Sequence, residues 1–365
     1  MRGTLIVTND FPPRQGGIQS FVHGLAGLLP QVAVYAPAWD GAKAFDSRQP
    51  FPVVRHPTSL MLPVPAVAHR AVAALREYEC DTVIFGAAAP LGLLAPTLRR
   101  AGATRLIALT HGHEAGWALL PGARQLLHRI GDTVDVVTYL GEYFRLRLAR
   151  ALSRPAAGRM VRLAPGVDVA TFRDARPAEL PAGGPTVLCV SRLVPRKGQD
   201  TLIRAWPAVR AAIPEARLLL VGDGPYRGEL QRLAGQLNVA AAVTFTGSVA
   251  DLPGYYAAAD VFAMPCRTRR AGLDVEGLGI VYLEASAAGL PVIGGDSGGA
   301  PDAILDGETG YVVPGRSVPA LAERIIALLA DPARARAMGQ RGQAWTEQEW
   351  DWSRVAGRLQ ALLTA

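Results

Sequence analysis

Hydrophobic and polar positions follow two alternating patterns along the chain. Short apolar, β-branched runs are typical of buried strands, and longer segments with apolar residues three and four positions apart are typical of helices. The predicted strands of the first half are Thr4–Thr8, Val32–Ala36, Val53–His56, Thr82–Gly86, Arg105–Thr110, Val134–Tyr139 and Val161–Ala164. Those of the second half are Thr186–Ser191, Arg217–Val221, Val243–Thr246, Val261–Met264, Val292–Gly294 and Gly310–Val313. Helices are predicted between them, for example over Ile18–Leu29, Ala66–Tyr78 and Leu91–Ala101.

This alternation predicts an α/β fold with two parallel, doubly wound sheets in two Rossmann-like domains. We predict domains over residues 1–170 and 186–347, because the stretch RDARPAELPAGGP (173–185) lies in a Pro- and Gly-rich linker, taken as 171–185. The helical pattern from Trp350 to Leu363 predicts that about 348–365 packs back on the first domain. Two facing domains leave a cleft at the carboxyl ends of their strands, where such sheets bind ligands.

Composition narrows the class of protein. No apolar run is long enough to span a membrane, and no signal peptide is recognised at the start of the chain. Cys80, Cys189 and Cys266 are far apart in apolar runs, which favours buried thiols over a disulfide framework or a metal site. The net charge of +7 suits anionic partners, such as phosphorylated small molecules, an anionic membrane face or nucleic acid.

The first candidate motif follows the first strand. In TNDFPPRQGGIQSF, a Pro-Pro loop leads to Gly16 and Gly17, and a helix is predicted from about Ile18. Two glycines let the backbone approach a ligand, and a helix N-terminus favours an anion. The loop is either a phosphate contact or a tight strand-to-helix turn, and it lacks the G-x-G-x-x-G pattern of dinucleotide-binding proteins.

The second motif is SRLVPRKGQD, after the first strand of the second half. It contains Lys197, one of two lysines in a chain whose other basic residues are arginines, five residues after Arg192. An arginine fork and a compact ammonium group together suit a diphosphate, although isolated basic pairs are often solvated.

The third motif is EGLGIVYLEA, with Glu276 and Glu284 eight positions apart. If a helix begins near Leu278, Glu276 precedes it and Glu284 lies about two turns inside. Ordinary charged helix positions are the alternative. An unpaired carboxylate would be costly in the apolar surroundings of Glu284, which favours a binding role.

The fourth motif, LTHGHEAGW, places His111 and His113 after a predicted strand. A metal site would need a third ligand, and the sequence has no D-x-D pair to hold a nucleotide-bound cation. A histidine bonded to a sugar hydroxyl, or a structural histidine, fits better.

Together, the Gly-Gly loop, R-x-x-x-x-K, VGDGP (221–225) and E-x7-E resemble the retaining glycosyltransferases of family 4, which have the GT-B fold. The resemblance covers nearly the whole chain, with the motifs in the family's order. The stretches VTNDFPPRQGGIQSF, THGHEAGW and MPCRTRRAGLDVEGLGIVYLEA are similar to actinobacterial GDP-mannose-dependent mannosyltransferases that add an α-1,6 mannose to phosphatidylinositol monomannoside. Two positions depart from the family pattern: Leu278 replaces a phenylalanine, and Asp302 replaces a glutamate.

The resemblance implies a role for each matching residue. Arg192 and Lys197 would bind the donor diphosphate, and the Gly16–Gly17 backbone would approach it from the other domain. Glu276 would hold the mannose hydroxyls and Glu284 the ribose hydroxyls, while His111 would contact the sugar and align the acceptor. Three further roles are implied: sugar contacts by the backbone of Gly277, Leu278 and Gly279, guanine recognition by Asp251, and a hinge at Asp168.

The implied reaction needs no cofactor and no metal ion. GDP-mannose is the donor, the acceptor is a glycolipid, and transfer occurs on one face of the sugar. We expect a cytoplasmic, peripheral enzyme on the inner face of the plasma membrane. We expect the anionic surface of this membrane to bind two segments, SLMLPVPAVAHRAVAALREY (59–78) and EYFRLRLARALSR (142–154). A solvated surface is the alternative for both stretches.

Other functions fit less well. A nicotinamide dehydrogenase would need the missing glycine fingerprint, and an exported two-lobed binding protein would need a signal. A nucleic-acid binder would need clustered basic residues with interleaved aromatics. The strongest alternative is a family 4 enzyme that uses a UDP- or ADP-linked sugar with a soluble or different lipid acceptor.

Overall fold

The apolar runs fold as parallel strands in two separate sheets. In the computed structural model, which describes residues 3–180 and 183–364, the chain divides into two units. One comprises Met1–Pro165 with Val355–Ala365, and the other Gly166–Arg354. Each sheet has its own buried core, as expected when helices cover both faces of a parallel sheet.

The sheet of the first unit consists of β1 Gly3–Val7, β2 Val32–Pro37, β3 Val53–His56, β4 Cys80–Phe85, β5 Arg105–Ala108, β6 Val136–Tyr139 and β7 Met160–Arg162. Their order in the sheet is β3-β2-β1-β4-β5-β6-β7. Strand β1 lies between β2 and β4 and is completely buried, because its five residues are apolar or small. All seven correspond to predicted strands: β3 has the predicted bounds, and the others differ at one or both ends by one or a few residues.

The helices of the first unit lie between these strands in sequence. They are α1 Gly17–Gly27, α2 Ala42–Asp46, α3 Pro65–Glu77, α4 Ala95–Arg100, α5 Glu114–Trp117, α6 Pro121–Thr133, α7 Glu142–Ala149 and α8 Arg154–Gly158. The single helix predicted over Leu91–Ala101 is instead a 3₁₀ turn, Leu91–Leu94, followed by α4. Pro96 explains the division, because proline lacks the N–H group that a continuous helix would need there.

The second unit contains a sheet with the strand order β10-β9-β8-β11-β12-β13. Its strands are β8 Thr186–Val190, β9 Arg217–Val221, β10 Val243–Gly247, β11 Val261–Met264, β12 Val292–Gly295 and β13 Gly310–Val313. Its helices are α9 Val169–Arg173, α10 Gln199–Ala212, α11 Arg227–Gln236, α12 Leu252–Ala257, α13 Ile280–Ala287, α14 Val318–Ala330 and α15 Pro332–Glu349. The carboxyl ends of the central strands β8 and β11 carry the loops with the predicted donor-binding residues.

The chain ends in helix α16, Trp352–Thr364, which from Val355 onward belongs to the first unit. There Arg105 of β5 donates a hydrogen bond from Nε to the carbonyl of Leu362, at 3.0 Å. The predicted return of the C-terminal helix to the first domain is confirmed.

The divisions of the chain differ from the predicted boundaries. The first unit ends at Pro165 and the chain returns to it at Val355, rather than at residues 170 and 348. The described residues of the predicted linker, 171–180 and 183–185, fall within the second unit; its residues 181 and 182 lie outside the description.

One prediction from composition agrees with the structure. All three cysteines are buried and unpaired. In the described part of the chain, no helix combines the length and the apolar character needed to cross a bilayer.

Candidate active site

The loop after β8 carries Arg192 and Lys197, the basic pair predicted from sequence. A 3₁₀ turn, Pro195–Lys197, ends at Gly198, which has a φ of 80° and starts α10. A Cβ atom at Gly198 would collide with the carbonyl oxygen of Pro265, so only glycine fits between this loop and the one after β11. The turn thereby presents Arg196 and Lys197 beside the segment that contains Glu276.

Glu276 is fixed through its main chain. Its N–H group donates to Oγ of Ser297 at 3.2 Å, and its carbonyl accepts the N–H of Gly299 at 3.0 Å. Gly298, with a φ of 58°, allows this close approach, because a Cβ there would collide with the same carbonyl. The loop after β12 therefore holds the backbone of Glu276 before its side chain makes any contact.

The side chain of Glu276 is the centre of a buried ionic cluster. Its Oε2 lies 2.6 Å from Nη1 of Arg196 and 2.8 Å from Nζ of Lys197. Burial raises the pKa of the carboxyl, but the charges of Lys197 and Arg196 outweigh this effect and lower the pKa overall. Glu276 is therefore ionised at neutral pH and can accept hydrogen bonds from sugar hydroxyls.

The segment after Glu276 turns sharply into α13. Gly279 has a φ of 76°, and a Cβ there would lie 2.5 Å from the ring of Tyr282. Helix α13 therefore begins at Ile280, later than the predicted start near Leu278. Leu278 is buried, while Gly277 is partly exposed beside Glu276.

Glu284 lies in α13, as predicted, and is partly buried. Burial raises the pKa of its carboxyl, an effect that a hydrogen bond from Tyr256 partly offsets. The Tyr256 hydroxyl donates to Oε2 at 2.8 Å. Within the residues described, no hydrogen bond or ion pair joins Glu284 to Glu276, so the two glutamates have separate surroundings.

Arg192 and Asp251 have fewer side-chain contacts than Glu276. Arg192 is exposed, and its side chain makes no hydrogen bond or ion pair within the described sequence, although its charge helps to lower the pKa of Glu276. Asp251 is also exposed, and it caps α12 by accepting the N–H of Gly254 at 3.2 Å. Asp168 similarly caps α9, through both the N–H and the hydroxyl of Thr171.

The Gly-Gly loop belongs to the first unit. Gly16 and Gly17 are exposed, and no side chain caps the N-terminus of α1, which begins at Gly17. Gln19 of the first turn instead donates from Nε2 to Oδ1 of Asp10, at 2.7 Å. A Cβ at Gly16 would collide with the side-chain oxygen of Gln19, so a larger residue there would displace this side chain.

His111 is buried at the carboxyl end of β5 in the same unit. Burial lowers the pKa of its imidazole, which is consequently neutral at pH 7. Its Nε2 is hydrogen-bonded to the carbonyl of Gly86, and its backbone N–H donates to the buried carboxylate of Glu114. His113 lies 3.3 Å from the other oxygen of that carboxylate. In the stretches that the structure covers, no three His, Cys, Asp or Glu side chains form a group suited to a metal ion.

Several polar residues of the site were not predicted. Arg196, Asp274 and Ser297 surround Glu276, and Tyr256 contacts Glu284. The sequence indicated one of these residues, Asp274. It is two positions from Glu276, so the two side chains fall on the same side of an extended segment. Ser297 comes from the loop after β12 and Tyr256 from α12, so only the tertiary fold brings them here.

The chain is similar to known glycosyltransferases over both units. Residues 16–171 match the model of Glycosyltransferase Family 4, and residues 171–345 match that of Glycosyl transferases group 1. A solved structure with the same fold is that of Anabaena HepE in complex with UDP. Its TM-score is 0.83 at 20% sequence identity, with 99% of both chains covered.

Two curated relatives align along nearly their full length. One is the GDP-mannose-dependent alpha-(1-6)-phosphatidylinositol monomannoside mannosyltransferase of Mycolicibacterium smegmatis, 53% identical over 99% of this chain and 98% of that protein. The other is the GDP-mannose-dependent monoacylated alpha-(1-6)-phosphatidylinositol monomannoside mannosyltransferase of Corynebacterium glutamicum, 49% identical over the same shares. The buried Glu276 cluster thus lies in a chain that belongs to glycosyltransferase family 4.

Proposed function

We propose that this glycosyltransferase moves mannose from GDP-mannose to a phosphatidylinositol mannoside, forming an α-1,6 linkage with retention of configuration. The observation that carries the proposal is the 53% identity, over 99% of the chain, to a relative named for this donor and acceptor. The ionised, buried Glu276 beside two cations supports it, because a fixed carboxylate is suited to binding sugar hydroxyls next to a diphosphate.

In this proposal the second unit binds the donor. Arg192, which has an exposed and unengaged guanidinium, and Lys197 contact the diphosphate. Lys197 is already within hydrogen-bonding distance of Glu276, so a diphosphate beside it brings the attached sugar to Glu276. Glu284 accepts hydrogen bonds from the ribose. The proposed roles of Asp251, Gly277, Leu278 and Gly279 at the donor, and of Gly16, Gly17 and His111 in the first unit, stay predictions.

The proposed chemistry takes place on one face of the sugar. The bond between C1 of mannose and the diphosphate oxygen breaks, and the acceptor hydroxyl oxygen forms a bond to C1 from the same side. The acceptor proton passes to the departing diphosphate oxygen. Arg192 and Lys197 stabilise the charge that develops there, so preorganised cations in the protein supply most of the catalysis without a metal ion.

We also propose that the first unit contacts an anionic membrane, on the inner face of the plasma membrane. Leu60, Leu62 and Val64, just before α3, are 57%, 49% and 44% exposed. Leu119 and Leu120 form a second exposed apolar group before α6, and Leu146 lies on α7. Helix α5 packs against both α6 and α7, so the second group, just before α6, and α7 both lie near α5. Arginines such as Arg150 accompany the leucines, which suits an anionic lipid surface.

The test is transfer with purified components. The protein is incubated with radiolabelled GDP-mannose and phosphatidylinositol monomannoside in vesicles, with and without EDTA. We expect a lipid with one added mannose, GDP in equal amount, and the same rate after chelation. Carbon-13 NMR of the product identifies the linkage and the anomeric configuration.

Parallel reactions contain UDP-glucose, ADP-glucose or UDP-N-acetylglucosamine in place of GDP-mannose. A protein that binds and transfers one of these sugars, and leaves GDP-mannose intact, would disprove the proposed donor. Transfer from GDP-mannose to free myo-inositol phosphate but not to the lipid would disprove the proposed acceptor.

A further inference from the structure

The guanidinium of Arg196 joins two carboxylates. Its Nη1 lies 2.6 Å from Oε2 of Glu276, while its Nε lies 3.0 Å from Oδ1 of Asp274. The side chain of Arg196 is only 16% exposed, and those of Asp274 and Glu276 are 30% and 8% exposed. Arg196 is therefore held on two edges in a largely buried position, unlike the exposed Arg192 on the same loop.

Asp274 is itself held by a small hairpin. Its N–H donates to the carbonyl of Arg269 at 3.2 Å, and its carbonyl accepts the N–H of Arg269 at 2.9 Å. Between these positions, Arg270 and Ala271 both have a φ of 50°, a backbone conformation that non-glycine residues rarely adopt. The main chain therefore fixes the position of Asp274. Its Oδ1 contacts Arg196, while Nη1 of Arg269 lies 3.8 Å from its Oδ2.

The two cations on Glu276 have different surroundings. Lys197 has one carboxylate partner among the residues described, the Oε2 atom that it shares with Arg196. When Lys197 also binds a diphosphate through its remaining N–H groups, its charge is shared with the phosphates, and Glu276 loses part of the counter-charge that Lys197 supplies. Arg196 keeps its contact with Glu276 only if it does not also move to the diphosphate. The negative charge of Asp274 opposes that movement.

We infer that Asp274 is a positioning residue that holds Arg196 on Glu276, so that Glu276 keeps its charge and direction while Lys197 binds the donor diphosphate. The inference rests on the proposed function, because it assigns the donor sugar to Glu276 and the diphosphate to Lys197. Asp274 touches neither reacting atom and acts through Arg196.

The test compares Asp274→Asn and Arg196→Lys with the wild-type protein. Asparagine removes the charge that restrains Arg196, and lysine keeps a charge but lacks the planar fork that holds two carboxylates on separate nitrogens. We expect either change to lower kcat/KM roughly 10- to 100-fold, as found when a side chain that orients a binding group is lost. Calorimetric titration should show unchanged GDP affinity and weakened GDP-mannose affinity, because only the sugar contacts Glu276.

The double variant supplies the sharper measurement. If Asp274 acts only through Arg196, the combined change should lower kcat/KM no further than either single change. Independent, multiplying losses would overturn the inference, as would equal losses of GDP and GDP-mannose affinity. Wild-type kcat/KM in Asp274→Asn would also overturn it. Asp174→Asn, which alters an exposed aspartate–arginine pair in the same unit, is the matched control and should leave all values unchanged.

The wild-type protein is first titrated with GDP-mannose, UDP-glucose and ADP-glucose. If a donor other than GDP-mannose binds, the proposed donor is wrong, and the variants are compared with the donor that does bind. If GDP-mannose binds and Asp274→Asn keeps wild-type affinity and turnover, the inference fails while the proposed function stands. If none of the three binds, both fail.

Discussion

The Nζ atom of Lys197 lies 2.8 Å from Oε2 of Glu276, and the same oxygen is 2.6 Å from Arg196. A carboxylate with two cations at one oxygen keeps its charge despite burial, and its other oxygen remains for a ligand. Lys197 and Glu276 are also in contact with each other. A group bound by the remaining N–H groups of Lys197 therefore lies next to a group bound by Glu276.

Replacing Lys197 with alanine should remove most activity and preserve the fold. We expect kcat to fall by about 10²–10³, as when one preorganised stabiliser of a developing charge is removed. Steady-state transfer of labelled mannose measures the loss, and circular dichroism checks the fold. The other lysine of the chain, Lys43, is exposed on α2, and Lys43→Ala is the matched control. Near-normal turnover in Lys197→Ala would contradict the proposed role.

The two glutamates of the EGLGIVYLEA segment should affect stability with opposite pH dependence. The pKa of Glu276 is lowered, so its ionised form stabilises the fold above about pH 4.3, the ordinary glutamate value, and this contribution is lost as pH falls through the lowered pKa. The pKa of Glu284 is raised, so its contribution is complete below about pH 4.3 and is lost as pH rises through the raised pKa.

Urea unfolding of Glu276→Gln and Glu284→Gln between about pH 2.5 and 8 measures this difference, because the change at Glu276 falls below the ordinary glutamate pKa. At pH 7, Glu276→Gln should reduce the free energy of unfolding by on the order of 3 kcal/mol, because it leaves two buried cations without their anion. Glu284→Gln should leave the free energy at pH 7 unchanged or higher, because it removes a buried charge. A destabilising Glu284→Gln whose effect grows with pH would contradict the assignment.

The sequence predicted the sheets much better than the contacts of the site. All thirteen strands correspond to apolar runs, since a parallel strand covered on both faces must be apolar throughout. The loops of Lys197 and Glu276 were also located correctly, because that of Lys197 directly follows a predicted strand and that of Glu276 precedes a predicted helix. What depends on spatial proximity was missed: Ser297 is bonded to the backbone of Glu276 from a loop twenty-one positions away.

Local backbone conformation explains two smaller differences. Apolar spacing alone placed the start of α13 near Leu278, but the left-handed Gly279 delays it to Ile280. The family resemblance implies guanine recognition by Asp251, and in the structure its carboxylate accepts the N–H of Gly254 as a helix cap. An N-cap and a ligand-binding carboxylate have the same sequence signature, so the nucleobase role of Asp251 stays a prediction.

Tyr256→Phe should make donor binding more sensitive to acid. The hydroxyl of Tyr256 donates to Glu284 and opposes the rise in its pKa, so its removal raises that pKa further. If ionised Glu284 binds the ribose, GDP affinity should decline at a higher pH in the variant than in the wild type. Calorimetric titration of GDP between pH 5 and 8 locates both midpoints, and identical profiles would contradict a ribose contact at Glu284.

Gly279→Ala should damage both the fold and the site. A φ of 76° is unfavourable for alanine, and its Cβ would press on the ring of Tyr282, so we expect a loss of about 1–3 kcal/mol in unfolding free energy. Transfer should fall as well, because the turn connects Glu276 to α13. Gly228→Ala is the matched control. Gly228 lies in α11 with open space at its Cβ, and the change should add about 0.5–1 kcal/mol.

Exposed leucines of the first unit should determine binding to lipid. Leu119 and Leu120 are 51% and 54% exposed, and inserting such side chains into a bilayer removes apolar surface from water. We expect the double variant Leu119→Ser, Leu120→Ser to bind anionic vesicles at least about tenfold more weakly in sedimentation, since full burial of each leucine contributes about 1.5–3 kcal/mol. Leu273→Ser, at a site of equal exposure in the second unit, is the matched control and should bind normally.

Wild-type binding should also weaken as salt rises, because arginines near these leucines attract the anionic headgroups. A wild-type protein that fails to sediment with anionic vesicles at any salt concentration would refute the membrane proposal while leaving the donor site untouched.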